Sequence, residues 1–398
     1  MDLSGKHIIL GITGSIAAYK SAYLASALKK AKADVTVIMT KNATEFIAPL
    51  TFETLTGNRC LVDTFDRNFQ YEVEHVELAK KADIFMIAPA SADVIAKAAH
   101  GIADDMLTTT LLAAACPKIF APAMNTRMFQ NPITQDNLSL LKKYGMTVIT
   151  PQTGYLACGD VGIGKMPEPE ALYELIMYTL CQKNLCGVKV LVSAGPTREA
   201  IDPVRFVSNH SSGKMGFAIA RAAARRGADV TLVTGQVNLA TPLGVMRVDV
   251  TSAAEMQGAI NAQAKNSDVI VMAAAIADYR PKHVADQKIK KSGDNLILEM
   301  MRTADILADL GANKKPGQFL CGFAMESENM EKNAKEKLAK KNLDMIVANN
   351  IRTEGAGFAV DTNIVTLIDS EGETQLPILS KDEVAERILD EIKRKKFG

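Results

Sequence analysis

The chain has no tryptophan, only 5% aromatic residues and almost no net charge. Any aromatic stacking on a ligand therefore falls to Phe or Tyr. The 46 Lys and Arg against 45 Asp and Glu leave a formal +1. No global basic field draws in nucleic acid or an anionic membrane, so an anionic ligand has to be bound locally. Six cysteines (Cys60, Cys116, Cys158, Cys181, Cys186, Cys321) form no CxxC pair, and five histidines show no HExxH spacing. Neither a disulfide framework nor a structural zinc site is indicated. The longest wholly apolar stretch, residues 269–277, is nine residues, against the roughly twenty of a bilayer span. The apolar start at residues 8–18 is broken by Gly11 and Gly14, which fits a strand and turn better than a leader. The expectation is a cytoplasmic protein without nucleic-acid or membrane partners.

What is present is ordinary globular material: 398 residues, 47% hydrophobic and 23% charged. At about 150 residues per domain, two or three domains are expected. Strand-length apolar runs at 7–12, 35–40, 84–88, 118–121 and 147–150 alternate with helical patterns, the signature of a parallel sheet covered by helices. The pattern then restarts. Leu3-Ser-Gly-Lys-His-Ile-Ile-Leu is echoed by Leu185-Cys-Gly-Val-Lys-Val-Leu-Val, Ala33-Asp-Val-Thr-Val by Ala228-Asp-Val-Thr-Leu, and Ala82-Asp-Ile-Phe-Met by Ser267-Asp-Val-Ile-Val-Met. Offsets of 182, 195 and 185 residues keep strand order while loops vary. They predict two doubly wound α/β domains, 1–187 and 188–398. Residues 151–169, rich in Gly and Pro, read as a long functional loop.

In the first half, Gly11-Ile-Thr-Gly14-Ser15 makes a glycine turn with a hydroxyl where a helix begins. Its backbone N–H groups and the helix dipole suit a phosphate, and a tight turn capped by Ser15 is an equally open reading. GxGxxG spacing is lacking, and residues 39–42 end the second strand without the carboxylate that a nicotinamide ribose needs, which disfavours NAD. Ser91 with Asp93, and Met124 with Asn125, follow later strands, where open α/β sheets place their sites. Alone, Asn125 reads as a turn former and His75 as a helix-start residue.

Taken together, Gly14-Ser-Ile-Ala-Ala-Tyr-Lys20, a His opening the third helix, Pro122-Ala-Met-Asn-x-x-Met128 and Gly154-Tyr-Leu-Ala-Cys158-Gly-Asp-x-Gly-x-Gly-Lys-Met166 resemble the FMN-dependent cysteine decarboxylases of coenzyme A synthesis. The resemblance implies a flavodoxin-like flavoprotein domain with FMN phosphate on Gly14 and Ser15. It also implies Ser91, Met124 and the segment 103–109, with Met106 and Thr108, near the flavin. His75 and Asn125 would face the substrate, and Cys158 would be the proton donor on a flap. Flavin is required because carbon dioxide leaves an amide-bearing carbon that has no electron sink of its own. A thiol with a pKa near ~8.5 is mostly neutral at pH 7 and can serve as the acid. Asp93 and Asp105 stand where this family commonly has Asn.

The second half opens with another donor-rich turn, Gly195-Pro-Thr-Arg198, followed by Asn209-His-Ser-Ser-Gly213-Lys-Met-Gly216 leading into an apolar helix. Phosphate cradling is the natural reading, although the GK[ST] ending of a Walker A loop is missing. Asp278 ends a strand where a carboxylate could hold Mg²⁺ on a triphosphate. Lys288-Ile-Lys-Lys291, and Lys337 with Lys341, read on their own as solvated charge.

These segments resemble the phosphopantothenate-cysteine ligase family. The resemblance implies CTP bound by Met272, Ala273, Ala274, Asp278, Lys288, Ala304, Asp305, Ile306, Leu307, Phe323, Lys337 and Lys341. Asn209 would steady an acyl-cytidylate, and Lys288 would serve the later attack by the amine. Ala304 replaces a frequent Pro, and Met325 and Ser327 alter a usual Ala-Ala-Glu-Thr. The expected whole is a bifunctional enzyme that joins cysteine to phosphopantothenate with CTP and decarboxylates the product with FMN. By the same resemblance it is a homo-oligomer with trimeric decarboxylase and dimeric ligase contacts. A flavin-binding regulatory protein with an inert nucleotide half, and a flavin or nicotinamide oxidoreductase, are the alternatives. The first would have been favoured by loss of His75 or Cys158, both present, and the second is disfavoured by the missing ribose acid.

Overall fold

The computed structural model describes residues 2–65, 74–155, 159–291, 295–326, 330–350 and 361–398, and the chain divides into two units, Met1–Leu180 and Cys181–Gly398. Unit 1 runs β1 (His7–Ile12), α1 (Ala18–Lys30), β2 (Asp34–Met39), α2 (Pro49–Thr56), α3 (Glu74–Lys81), β3 (Ile84–Ala90), α4 (Ala92–His100) and α5 (Met106–Ala113). It continues with β4 (Lys118–Pro122), α6 (Thr126–Gln130), α7 (Pro132–Lys143), β5 (Thr147–Val148), β6 (Gln152–Tyr155), β7 (Val161–Lys165) and α8 (Pro169–Leu180). Strands β1 to β5 form a parallel sheet of order β2-β1-β3-β4-β5. That is the flavodoxin-type order, whose direction reverses between β1 and β3 and opens a crevice there.

The pleat sorts the apolar residues onto two faces. Ile8, Leu10 and Ile12 of β1 pack with Leu24 and Leu28 of α1 and Leu172 and Ile176 of α8. Ile9, with Phe85, Ile87 and Phe120, packs against Val94, Ile95, Leu107 and Leu111 on the opposite face. Each fully buried Leu, Ile or Phe contributes on the order of 1.5–3 kcal/mol, so the two layers hold the sheet firmly and the strand-end loops inherit that rigidity. The expected loop at 151–169 is in part a hairpin, β6 against β7, with Tyr155 opposite Val161. Alternating glycines at 162 and 164 hide its strand character from a pattern that looks for apolar alternation.

Unit 2 runs β8 (Lys189–Ala194), β9 (Arg198–Ala200), β10 (Phe206–Ser208), α9 (Lys214–Arg225), β11 (Asp229–Thr234), β12 (Val245–Asp249), α10 (Ala253–Ala264), β13 (Val269–Met272), β14 (Tyr279–Pro281) and β15 (Met300–Arg302). Then follow α11 (Ile306–Ala312), β16 (Phe319–Glu326), α12 (Met330–Lys340), β17 (Met345–Asn350), β18 (Thr362–Asn363), β19 (Val365–Asp369), β20 (Glu373–Gln375), β21 (Leu379–Ser380) and α13 (Lys381–Phe397). The main sheet has the order β12-β11-β8-β13-β16-β17-β19-β20, with only β19 and β20 antiparallel to their neighbours. Its reversal lies between β8 and β13.

The three echoed segments occupy equivalent places: β2-β1-β3 in one sheet and β11-β8-β13 in the other. Their shared Asp does the same work twice. Asp83 Oδ2 accepts the His7 N–H at 2.8 Å, and Asp268 Oδ2 accepts the Lys189 N–H at 2.8 Å. Each thus satisfies the first donor of the neighbouring strand. The break between units precedes residue 187 because the residues after α8 already bond into unit 2. Lys183 Nζ donates to the Arg225 carbonyl at 2.7 Å, and Leu185 N to the Arg226 carbonyl at 2.9 Å.

Candidate active sites

In unit 1 the crevice beyond β1, β3 and β4 is a cavity of about 560 Å³, lined among others by Gly14, Ser15, Lys20, Ser91, Met124, Asn125, Tyr155 and Gly164. The loop after β1 is anchored from beneath. Thr13 Oγ1 donates to the Pro89 carbonyl at 2.8 Å and accepts the Ser91 N–H at 2.8 Å, which joins the ends of β1 and β3. Ser15 does not cap α1, because the N-cap position is Ala17. Its Oγ accepts only the Ala17 N–H, at 3.3 Å. A Cβ at Gly14 would meet Asn42 Cβ at 2.9 Å, so the close turn requires glycine. Ser91 caps α4, with Oγ accepting the Val94 N–H at 3.4 Å, and Asn125 caps α6, with Oδ1 accepting the Arg127 N–H at 2.8 Å.

The hairpin is pinned to the Met124–Asn125 loop: Met124 N donates to the Gly164 carbonyl at 3.1 Å. Lys20, buried in the first turn of α1, donates to the Met166 carbonyl and to Glu168 Oε1, both at 3.0 Å. Hydrogen bonds from Lys20 and Lys165 hold the Glu168 carboxyl below its ordinary value. The base of the hairpin is thereby tied to the helix that begins at the cavity.

Not every expected residue lines this cavity. His75 stands half-buried at the start of α3, outside the lining. Met106 is 1% exposed among the core side chains of α5, and Thr108 is 2% exposed and closes a capping box with Asp105. The Asp105 carboxylate accepts both the Thr108 N–H and its hydroxyl at 2.7 Å. Cys158 lies outside the described residues. Lys20, Tyr155 and Lys165 line the cavity without having been singled out from the sequence. A lysine five residues after Ser15, in the first turn of the helix that a phosphate-type turn opens, would have been the signal for the first.

In unit 2 a cavity of about 500 Å³ collects Met272, Ala274, Asp278, Ala304, Asp305, Ile306, Leu307, Phe323, Lys337 and Lys341, together with Ile276, Tyr279, Arg302 and Thr303. Ala273 lines an adjoining pocket of about 150 Å³ with Ser211, Gly213, Asn349 and Lys381. The loop after β13 is laced to the loop after β8. Ala274 N donates to Ser193 Oγ at 3.1 Å, Ala275 N to the Gly195 carbonyl at 2.9 Å, and Ala277 N to Thr197 Oγ1 at 3.0 Å. Asn209 Nδ2 donates to the Ala275 and Ile276 carbonyls at 3.1 and 3.2 Å, so it braces the wall between the two pockets without lining either.

Lys337 Nζ donates to the Phe323 carbonyl at 2.8 Å, and Lys341 Nζ to Asp305 Oδ1 at 2.8 Å. Asp305 also caps α11 by accepting the Ala308 N–H at 3.0 Å. Burial pushes its carboxyl up, but Lys341 and the cap outweigh that and hold it below its ordinary value. Lys288 is exposed and outside both pockets. Tyr279, Arg302 and Thr303 enter the cavity because β14 and β15 pair as a hairpin over its mouth, a long-range pairing with no local sequence signal.

Two open α/β sheets, each with a cavity beyond the carboxyl ends of its strands, one beside a hydroxyl-bearing turn and one lined by two lysines and two carboxylates, define a two-site α/β protein. Residues 1–181 match the Flavoprotein family, and residues 185–395 match the DNA/pantothenate metabolism flavoprotein C-terminal domain. The chain is 48% identical over 393 residues, 98% of each sequence, to the coenzyme A biosynthesis bifunctional protein CoaBC of Haemophilus influenzae. It is 47% identical over 395 residues to that of Bacillus subtilis, covering 98% of this chain and 97% of that one. A solved C-terminal domain of a coenzyme A biosynthesis bifunctional protein CoaBC is 45% identical, with a TM-score of 0.47, 54% of this chain and 98% of that chain covered. The chain belongs to the family of bifunctional coenzyme A biosynthesis proteins. It is an enzyme of coenzyme A biosynthesis whose first unit is a flavoprotein domain.

Proposed function

We propose that unit 2 joins cysteine to phosphopantothenate at the expense of CTP and that unit 1 decarboxylates the product to phosphopantetheine with FMN. The observation that carries the ligase reading is the gathering of Asp278, Ala304, Asp305, Phe323, Lys337 and Lys341, remote in sequence, around one cavity of about 500 Å³. A carboxylate does not accept an amine in water, so its oxygen attacks the α-phosphorus of CTP and pyrophosphate leaves. The cysteine nitrogen then attacks the acyl carbon, the bond to the phosphate oxygen breaks, CMP leaves and the ammonium proton is released. Backbone donors and lysines neutralise the charge growing on the departing phosphates. Asn209 holds the loop on which the acyl group would lie, and Lys288 serves the attack by the amine.

Mg²⁺ fits Asp278. Among the described residues no cluster of three or more His, Cys, Asp or Glu could cage a metal ion. Of the two carboxylates in the cavity, Asp305 is paired with Lys341, and one further carboxylate is enough for Mg²⁺ when phosphates supply the other ligands. FMN fits unit 1. The Gly14–Ser15 turn offers donors at the start of α1, and Ser91, Met124 and Asn125 line a cavity of about 560 Å³. When bound, the flavin supplies the electron sink that decarboxylation needs. Asn125 would orient the substrate carboxylate or amide, and Cys158 would return a proton. His75 stands half-buried outside the cavity of one chain, which supports a unit 1 site completed by a second copy through trimeric contacts, and we propose dimeric contacts for unit 2 from its likeness to the ligase family. We place the enzyme in the cytoplasm, and no described helix is long and apolar enough to cross a membrane.

Single variants separate the halves. His75→Asn is expected to abolish decarboxylation of supplied phosphopantothenoylcysteine and to leave ligation intact, whereas Asn209→Asp does the reverse. Loss of neither activity in its own variant would overturn both residue assignments.

A further inference from the structure

We infer that Asp202 is a positioning residue of the ligase half, holding the peptide that carries Lys288 through the Ile289 N–H, so that the lysine is presented to the amine-transfer step. This rests on the role proposed above for Lys288. Lys288 is exposed and sits in a stretch with no regular structure after β14, so nothing in its own secondary structure fixes it. The neighbouring peptide is fixed from elsewhere. Ile289 N donates to Asp202 Oδ2 at 3.2 Å, and the Ile289 carbonyl accepts from Arg205 Nη2 at 2.8 Å. Ala285 N donates to the Ile201 carbonyl at 3.0 Å. Three bonds thus tie residues 285–289 to the turn joining β9 and β10.

Asp202 is only 2% exposed. Its Oδ1 accepts the Val204 and Arg205 N–H groups at 2.8 Å each and completes the turn. Its Oδ2 faces Ile289, 87 residues away, with the Arg205 guanidinium at 3.7 Å. Burial pushes the carboxyl up, but the three N–H donors and Arg205 outweigh it, so the group stays an acceptor-only anion. A turn alone needs one acceptor oxygen, which Asn or Ser supplies equally well. The second oxygen is explained by the segment it holds. The other end of the same hairpin runs from β10 straight into Asn209, which braces the loop after β13. One hairpin therefore sets both Asn209 and the peptide of Lys288, and orientation of this kind is where a reacting pair gains most.

Asp202→Asn tests this selectively. Its Oδ1 keeps the turn, while the amide nitrogen confronts the Ile289 N–H donor to donor. Full-length protein is incubated with phosphopantothenate, CTP and Mg²⁺, with and without cysteine, and quenched samples are read by mass spectrometry. Pyrophosphate release without cysteine is expected within about twofold of the parent, and amide formation roughly tenfold to a hundredfold slower, the size of a lost hydrogen bond to a charged group. The acyl-cytidylate is expected to accumulate, as is also expected of Lys288→Gln, and the double variant to be no worse than Lys288→Gln alone. Parent-like pyrophosphate release without cysteine, a reaction of unit 2 itself, verifies in the same sample that the unit carrying Asp202 has folded. The inference is overturned if Lys288→Gln accumulates the intermediate and Asp202→Asn does not. It is equally overturned if Asp202→Asn slows both steps alike, the mark of a merely structural carboxylate. Normal turnover by Lys288→Gln would refute the role of the lysine itself, and this inference with it.

Discussion

Gly164 is where the hairpin of unit 1 meets the cavity most closely, and Gly164→Ala converts that closeness into a measurable loss. A Cβ there would lie 2.1 Å from the Met124 carbonyl oxygen, and the residue holds φ at +146°. The obstacle is backbone, so it cannot rotate away. Placing alanine in that conformation costs about 1–3 kcal/mol. Separating the strands to relieve the clash forfeits the 3.1 Å bond from Met124 N to the Gly164 carbonyl, a further ~0.5–1.5 kcal/mol. Together that is about 1.5–4.5 kcal/mol against the docked hairpin, or a factor of roughly 10 to 1,600 in its population at about 1.4 kcal/mol per tenfold. Tyr155 and Lys165 of the same hairpin line the cavity, so the wall they form depends on this docking. The assay is decarboxylation of supplied phosphopantothenoylcysteine, with ligation by the same chain as the internal standard. Decarboxylation is expected to fall at least tenfold while ligation stays within about twofold. Gly154→Ala is the control, since its Cβ meets only Lys165 Cδ at 3.5 Å, an ordinary contact. Parent-like decarboxylation by Gly164→Ala would refute the docked hairpin as a working part of the site.

Two further outcomes follow from the charges and thiols. Lys341→Met removes the partner of Asp305 at the nucleotide cavity, and the KM for CTP is expected to rise about tenfold in steady-state ligation assays. Asp305 is depressed in the folded state, so its pairing stabilises above the ordinary carboxylate value and is lost as pH falls through the lowered one. Parent and variant should therefore differ in urea unfolding at neutral pH and converge in acid, and a difference that grows on acidification contradicts the pairing. Burial, reinforced by Glu53, pushes the Cys60 thiol up to about 12. Mass-spectrometric mapping after iodoacetamide at pH 7.5 should find exposed Cys186 alkylated and Cys60 untouched. Because the unfolded thiol ionises near its ordinary value and the folded one does not, stability falls as pH rises from about 9 towards 12.

Much of the fold was legible because periodicity and echo are local signals. Ile8, Leu10 and Ile12 facing one layer and Ile9 the other follow from the pleat alone, and the doubled Ala-Asp and Ser-Asp strand starts foretold two sheets of one design. The cavity of unit 2 was legible through resemblance rather than pattern: Lys337 and Lys341 alone look like a solvated helix face, and only α12 packing beside β16 brings them to the cavity. The hairpin at 152–165 escaped because its strands carry glycine where apolar residues would have announced them. Arg302 and Tyr279 escaped because β14 and β15 pair across an intervening segment, a contact that no local window contains. Met106 and Thr108 were expected beside flavin, but the Asp105 cap and the core claim them within a single chain.

The central claim is that both reactions reside in this one chain, and product analysis tests it most directly. Purified protein is incubated with phosphopantothenate, cysteine, CTP and Mg²⁺, and the products are identified by mass spectrometry. The account predicts phosphopantetheine together with CMP and pyrophosphate. Phosphopantothenoylcysteine that accumulates without conversion would contradict the reading of unit 1, and the absence of any CTP-dependent product would contradict the reading of unit 2.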